Sequence, residues 1–256
     1  MTGVVVGICT DRDPDQRRSI ESIAEFSRPD TQLVAVFNGV VPFPVNPRYE
    51  IVHFPELLGR EQGLWKYMYD VAVERDWDWA GTFHDDMHLL EAGWESCIEA
   101  ACETHRVGVA SYACWPYAAP HRTNPDDPKA YTLVTSNLPD GTLNPGFPGV
   151  AVDGCGMAFN MALFKQRKMF TPLNVACGYG ETEAGFWALS QGWAGCQIQK
   201  NASHPPGLST NTRGVLQLGA EGIEETVFTH LDVLPATVLD ANRIQLGDKI
   251  VDFRLA

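Results

Sequence analysis

The sequence has no long apolar run: nowhere in its 256 residues is there a stretch near the roughly 18 apolar residues of a membrane span. It is short of positive charge, with 19 Lys and Arg against 32 Asp and Glu, a formal net charge of −13. A nucleic-acid partner calls for a basic face, so this balance disfavours one while leaving room for a local patch. There is no CxxC pair. The seven cysteines, Cys9, Cys97, Cys102, Cys114, Cys155, Cys177 and Cys196, are scattered and odd in number. That pattern speaks against a disulfide framework and against a zinc ribbon, and leaves small buried hydrophobes or free thiols. No internal repeat or low-complexity tract is present. Met1 to Thr10 lacks the basic n-region and the long apolar region of a secretory signal, so Asn201-Ala202-Ser203 reads as a chance glycosylation sequon and a cytoplasmic location is expected.

What is present is an ordinary globular composition, 45% hydrophobic and 20% charged. Gly3 to Cys9 is a continuous apolar run of strand length, suited to a buried parallel strand. Asp13-Pro14-Asp15-Gln16 then opens a helix, with Asp13 as cap, Pro14 in the first turn and Gln16 at the capping-box position. Ile20, Ile23 and Ala24 form its apolar stripe. Strands are expected at Gln32 to Phe37, Tyr49 to Phe54, Trp79 to Phe83 and Val107 to Ser111. Leu64, Tyr67, Met68, Val71 and Ala72 recur with helical period, as do Trp94, Cys97, Ile98, Ala101 and Cys102. Strands separated by helices imply an α/β fold with a mainly parallel sheet. The stretch from Pro116 to Pro148 holds seven prolines and reads as a long loop or lid. Arg243 to Leu255 reads as a hairpin turning at Gly247-Asp248.

Ligands of such sheets bind beyond the carboxyl ends of the strands. Thr10-Asp11-Arg12, Asn38-Gly39 and His84-Asp85-Asp86 all fall there. In Phe83-His84-Asp85-Asp86-Met87-His88 the carboxylates follow a buried strand with no Lys or Arg beside them. A hard divalent cation would neutralise that cluster and keep positions open for phosphates; a solvated Asp-Asp turn is the plain alternative. Glu181 and Glu183, in Gly178-Tyr179-Gly180-Glu181-Thr182-Glu183, open a helical pattern. They fit either dipole-stabilising capping or a general base for an acceptor hydroxyl. His204, before Pro205-Pro206-Gly207, follows a strand expected at Cys196 to Gln199 and fits a metal ligand or a structural histidine. The aromatic residues Trp115, Tyr117, Phe147 and Tyr179 flank the lid and the second acidic cluster, and fit sugar stacking or plain packing.

In this order the pieces resemble the GT-A glycosyltransferase superfamily, in particular its inverting, family-2-like nucleotide-sugar enzymes. The resemblance covers about residues 4 to 210. Val4 to Arg12 matches the opening strand and polar turn that hold the base, and Asn38 ends the second strand near the nucleobase. His84-Asp85-Asp86 stands in place of the DxD motif, followed by Gly93-Trp94. Val152-Asp153-Gly154-Cys155-Gly156-Met157 matches the next strand, Gly178 to Trp193 the "gyggED" segment and its helix, and His204 the closing metal histidine. The chain departs from the pattern in two places: His84 replaces the first acidic residue of DxD, and Glu181 with Glu183 replaces the usual Glu-Asp pair.

The resemblance implies an α/β, GT-A-like fold over residues 1–215, with 1–115 as the nucleotide-sugar half, 116–215 as the acceptor half and 216–256 as a C-terminal extension. It implies a nucleotide-diphosphate sugar donor contacting Thr10, Asp11, Arg12, Asn38, Arg60, Asp85 and Gly154. It implies Mn²⁺ or Mg²⁺ on Asp86 and His204, with His84 beside them. Glu181, or else Glu183, would be the base, and configuration would invert. The acceptor hydroxyl stays open in class. Two other readings remain. One is an inactive carbohydrate- or nucleotide-binding domain of the same fold, kept alive by the two departures. The other is a zinc hydrolase using His84 and His88 at i, i+4, which requires those residues on one helix. A nucleotidyltransferase would carry a glycine-rich loop after the first strand, and Cys9-Thr10-Asp11-Arg12 has none.

Overall fold

Alternate residues of the first strand, β1 (Thr2–Ile8), enter two different cores. Val4, Val6 and Ile8 pack on one face of the sheet and Val5 on the other, as the period of two requires. The second strand, β2 (Gln32–Asn38), divides likewise: Leu33, Ala35 and Phe37 join the first face, Val34 and Val36 the second. A strand buried on both faces needs an uninterrupted apolar run, which is why these segments were legible.

The computed structural model describes residues 1–8, 14–56, 58, 61–85, 87–112, 131–134, 156–170, 184–185, 187–188, 191–198, 202–203, 236–240, 243–246 and 249–252. Further strands are β3 (Tyr49–Phe54), β4 (Trp79–His84), β5 (His88–Leu89), β6 (Val107–Tyr112), β7 (Tyr131–Val134), β8 (Gly156–Asn160), β9 (Ala194–Ile198) and β10 (Ala202–Ser203). The helices are α1 (Pro14–Phe26), α2 (Glu61–Glu74), α3 (Trp94–Cys102) and α4 (Met161–Arg167). The main sheet has eight strands in the order β3-β2-β1-β4-β8-β6-β9-β7. One face is covered by apolar residues of α1 and α3, among them Ile20, Ile23, Trp94 and Ile98. The other is covered by α2 and α4, through Trp65, Met68, Leu163 and Phe164. No helix among the described residues is long and apolar enough to cross a membrane.

The mainly parallel expectation holds from β3 to β4, where every pair is parallel. Beyond β4 the sheet is mixed. Strand β8 runs antiparallel to both β4 and β6, β9 is parallel to β6, and β7 closes the edge antiparallel to β9. Strand β7 falls inside the stretch from Pro116 to Pro148 expected as a long loop or lid. Helix α4 is a further element that the periodicity did not reveal, because seven residues hold too few turns for a stripe. Its start carries a local signal nonetheless: Asn160 caps it, Oδ1 accepting from the Ala162 amide at 3.0 Å. A separate sheet, β11 (Ala236–Asp240), β12 (Arg243–Leu246) and β13 (Lys249–Asp252), is antiparallel throughout.

Two polar devices hold the helices to the sheet. Arg48 crosses to the end of α1, its guanidinium donating to the carbonyls of Ala24, Ser27 and Arg28. Helix α1 has no basic residue in its own last turn, so Arg48 supplies the cation that its free carbonyls favour. Glu95, in the first turn of α3, is 2% exposed. Its Oε1 accepts from the Arg28 amide at 2.9 Å and from the Thr31 hydroxyl at 2.8 Å, while Oε2 is buried with no hydrogen-bond partner. Burial raises the Glu95 pKa above the ordinary carboxylate value, outweighing those hydrogen bonds.

Close approach decides Gly3. A Cβ there would lie 2.0 Å from Cε2 of Trp77, whose ring is fully buried and whose Nε1 donates to Gln32 Oε1 at 2.9 Å. We expect Gly3→Ala to cost about 1–3 kcal/mol of stability, read from urea unfolding. For Glu95, the folded state keeps its proton to a higher pH than the unfolded chain. Its stabilising contribution is therefore complete below the ordinary carboxylate pKa and is lost as pH rises through the raised one. Glu95→Gln removes that loss, so its stability relative to wild type should increase between pH 4.5 and neutrality in paired urea titrations.

Candidate functional site

The sheet order places the site. From β1 the chain moves outward through β2 to β3, then returns to the other side of β1 with β4. Strand direction of travel therefore reverses between β1 and β4, and a crevice opens beyond the carboxyl ends of such a pair. The register aligns those ends, Gly7 against His84. His84 is the last residue of β4 and Asp85 the turn after it, both half-buried.

Helix α1 holds this turn from one side. Gln16, 6% exposed, donates from Nε2 to Asp85 Oδ2. The fully buried Ser19 donates from Oγ to the Met87 carbonyl. Ser22 accepts from the Leu89 amide at 3.0 Å and donates to the Ser19 carbonyl at 2.7 Å. From another side, β10 pairs antiparallel with β5, Ser203 against His88 and Ala202 against Leu89. From below, Met87 is fully buried against β8: a Cβ on Gly156 would lie 2.3 Å from its Sδ. Gly156, in the segment matched to the strand after the acidic motif, is thus small because Met87 needs the space.

Asn38 ends β2 as expected, but its side chain turns inward. It is 0% exposed and its Oδ1 accepts from the Leu58 amide at 2.8 Å. Gly39 follows with φ 76°, a left-handed conformation that glycine takes without strain, and its amide donates to the Phe54 carbonyl at 2.8 Å. Leu58 in turn lies against α2, where a Cβ on Gly63 would meet the Leu58 carbonyl at 2.0 Å. Asn38 therefore shapes the segment leading to Gly59-Arg60 from within the core.

Of the residues singled out by sequence, the structure brings His84 and Asp85 together and places Asn38 two strands away in the same parallel set. Thr10, Asp11, Arg12, Arg60, Asp86, Gly154, Glu181, Glu183 and His204 lie outside the described residues, as do Trp115, Tyr117, Phe147 and Tyr179. His84 ends one strand and His88 begins another, so they are not successive turns of a helix. That overturns the zinc-hydrolase reading, since its ligand geometry depends on an i, i+4 helical pair. Among the described residues, no group of three or more His, Cys, Asp and Glu side chains is placed to hold a metal. Cys97 and Cys196 are buried and Cys102 half-buried; burial pushes the Cys102 thiol up to about 11 and that of Cys196 well above its ordinary value. The α1 residues Gln16, Ser19 and Ser22 were not read as site residues. Their signal is a polar row at three-residue spacing beside the apolar Ile20 and Ile23.

No protein-family model matches the chain, and no curated protein matches it. Among solved structures it is similar to the mannosyltransferase PcManGT from Pyrobaculum calidifontis, solved with GDP-Man and Mn²⁺. The identity is 14% and the TM-score 0.48, over 80% of this chain and 55% of that one. It is also similar to A197 from STIV, at 8% identity and TM-score 0.43 over 100% and 96% of the two chains. A third likeness is to S. aureus TarS, at 11% identity and TM-score 0.44 over 73% of this chain and 33% of that one. This chain thus spans about half the length of the first and a third of the last. Likenesses of this size leave the functional reading to the site itself.

The inward turn of Asn38 generates a test. Asn38→Ala leaves the half-buried Leu58 amide without this acceptor, so a loss of about 1–3 kcal/mol is expected in urea unfolding.

Proposed function

We propose that the protein is a metal-dependent glycosyltransferase, moving a sugar from a nucleoside-diphosphate donor to an acceptor hydroxyl with inversion. The observation that carries this reading is the position of His84-Asp85 at the reversal point of the sheet, anchored on several sides. An acidic segment fixed beyond the carboxyl end of a buried strand suits a cation-bridged diphosphate.

The donor set fits Mn²⁺ or Mg²⁺. Asp86 follows Asp85 directly, and His204 follows Ser203, which pairs with His88. In the sequence, positions 86 and 204 lie two residues and one residue from that pair. Carboxylate oxygens suit both ions, and an imidazole nitrogen favours Mn²⁺ over the strictly oxygen-seeking Mg²⁺. Asp86 and His204 would hold the ion, with His84 beside them. When bound, it would offset the charge that develops on the leaving nucleoside diphosphate.

The chain's own groups supply the rest. Glu181 accepts the proton of the acceptor hydroxyl as that oxygen attacks the anomeric carbon; Glu183 is the other candidate. The bond from the anomeric carbon to the diphosphate breaks on the opposite face, so configuration inverts. Thr10, Asp11, Arg12, Arg60, Asp85 and Gly154 contact the donor. Asn38 acts on it indirectly, through the Leu58 segment.

A thermal-shift panel of UDP, GDP, CDP, ADP and dTDP, each with and without Mn²⁺, tests the reading on wild type and Asp86→Ala. One nucleotide should raise the melting temperature only with Mn²⁺ and only when Asp86 is present. At about 100 times its dissociation constant such a ligand adds about 2.7 kcal/mol. No shift with any nucleotide would overturn the assignment. A shift without turnover of the matching nucleotide-sugar would favour an inactive binding domain.

A further inference from the structure

We draw no further inference here: the strongest candidate, the buried Glu95 carboxyl where the turn after α1 meets the first turn of α3, rests on the raised pKa of that group and leads no further than the pH-dependent stability already derived from it.

Discussion

The pairing of β1 on both of its edges is the constraint on which the described structure depends. Strand β1 bonds to β2 from Gly3 to Ile8 and to β4 from Thr2 to Gly7. A strand bonded along both edges and buried on both faces has no freedom to slip, because a shift of one residue would exchange Val4, Val6 and Ile8 with Val5 between the two cores. That register aligns Gly7 with His84 and so sets where β4 delivers the acidic segment. Gly3 belongs to the same constraint: the Trp77 indole fills the space a side chain would take, closing the start of the strand.

Polar groups then complete what the apolar core begins. Helix α1 is apolar along Ile20, Ile23 and Ala24, and these residues hold it on the sheet. Around that stripe it is bonded at three places. Arg48 takes its last carbonyls, Glu95 takes the Arg28 amide just beyond its end, and Gln16, Ser19 and Ser22 take the segment from 85 to 89. Apolar packing is tolerant of sliding, whereas hydrogen bonds to fixed partners are not. The helix is thereby placed along its axis as well as against the sheet, and the turn after β4 inherits that precision.

The parallel half of the sheet was legible because its signals are local. Continuous apolar runs marked β1, β2 and β4, and the 3.6-residue period marked α2 and α3. The strand-end rule then pointed to Asn38 and to His84-Asp85. The reversed strand β8 was not foreseen as reversed, since nothing in Gly156–Asn160 encodes direction relative to β4 and β6. Asn38 was placed correctly along the chain, yet whether a strand-end amide faces a ligand or the core depends on Leu58, twenty residues later. The pair His84 and His88 shows the same limit. Its i, i+4 spacing suits a helix, and the competing strand pairings of β4 with β1 and β5 with β10 decide against one.

By itself, the sequence determined the α/β class, the parallel pairing that the strands from β1 to β4 adopt and the placing of an acidic segment just past a buried strand. Each follows from patterns that repeat over a few residues: period two, period 3.6 and the turn chemistry between them. Only the tertiary structure decided that β8 runs backward, that Asn38 faces inward, and that a polar row on α1 grips the acidic segment while β10 brings the residue before His204 to its other edge. These are contacts between residues from 20 to more than 100 positions apart. A hydrogen bond depends on where its two partners lie in space, and that is set by the packing of the whole sheet.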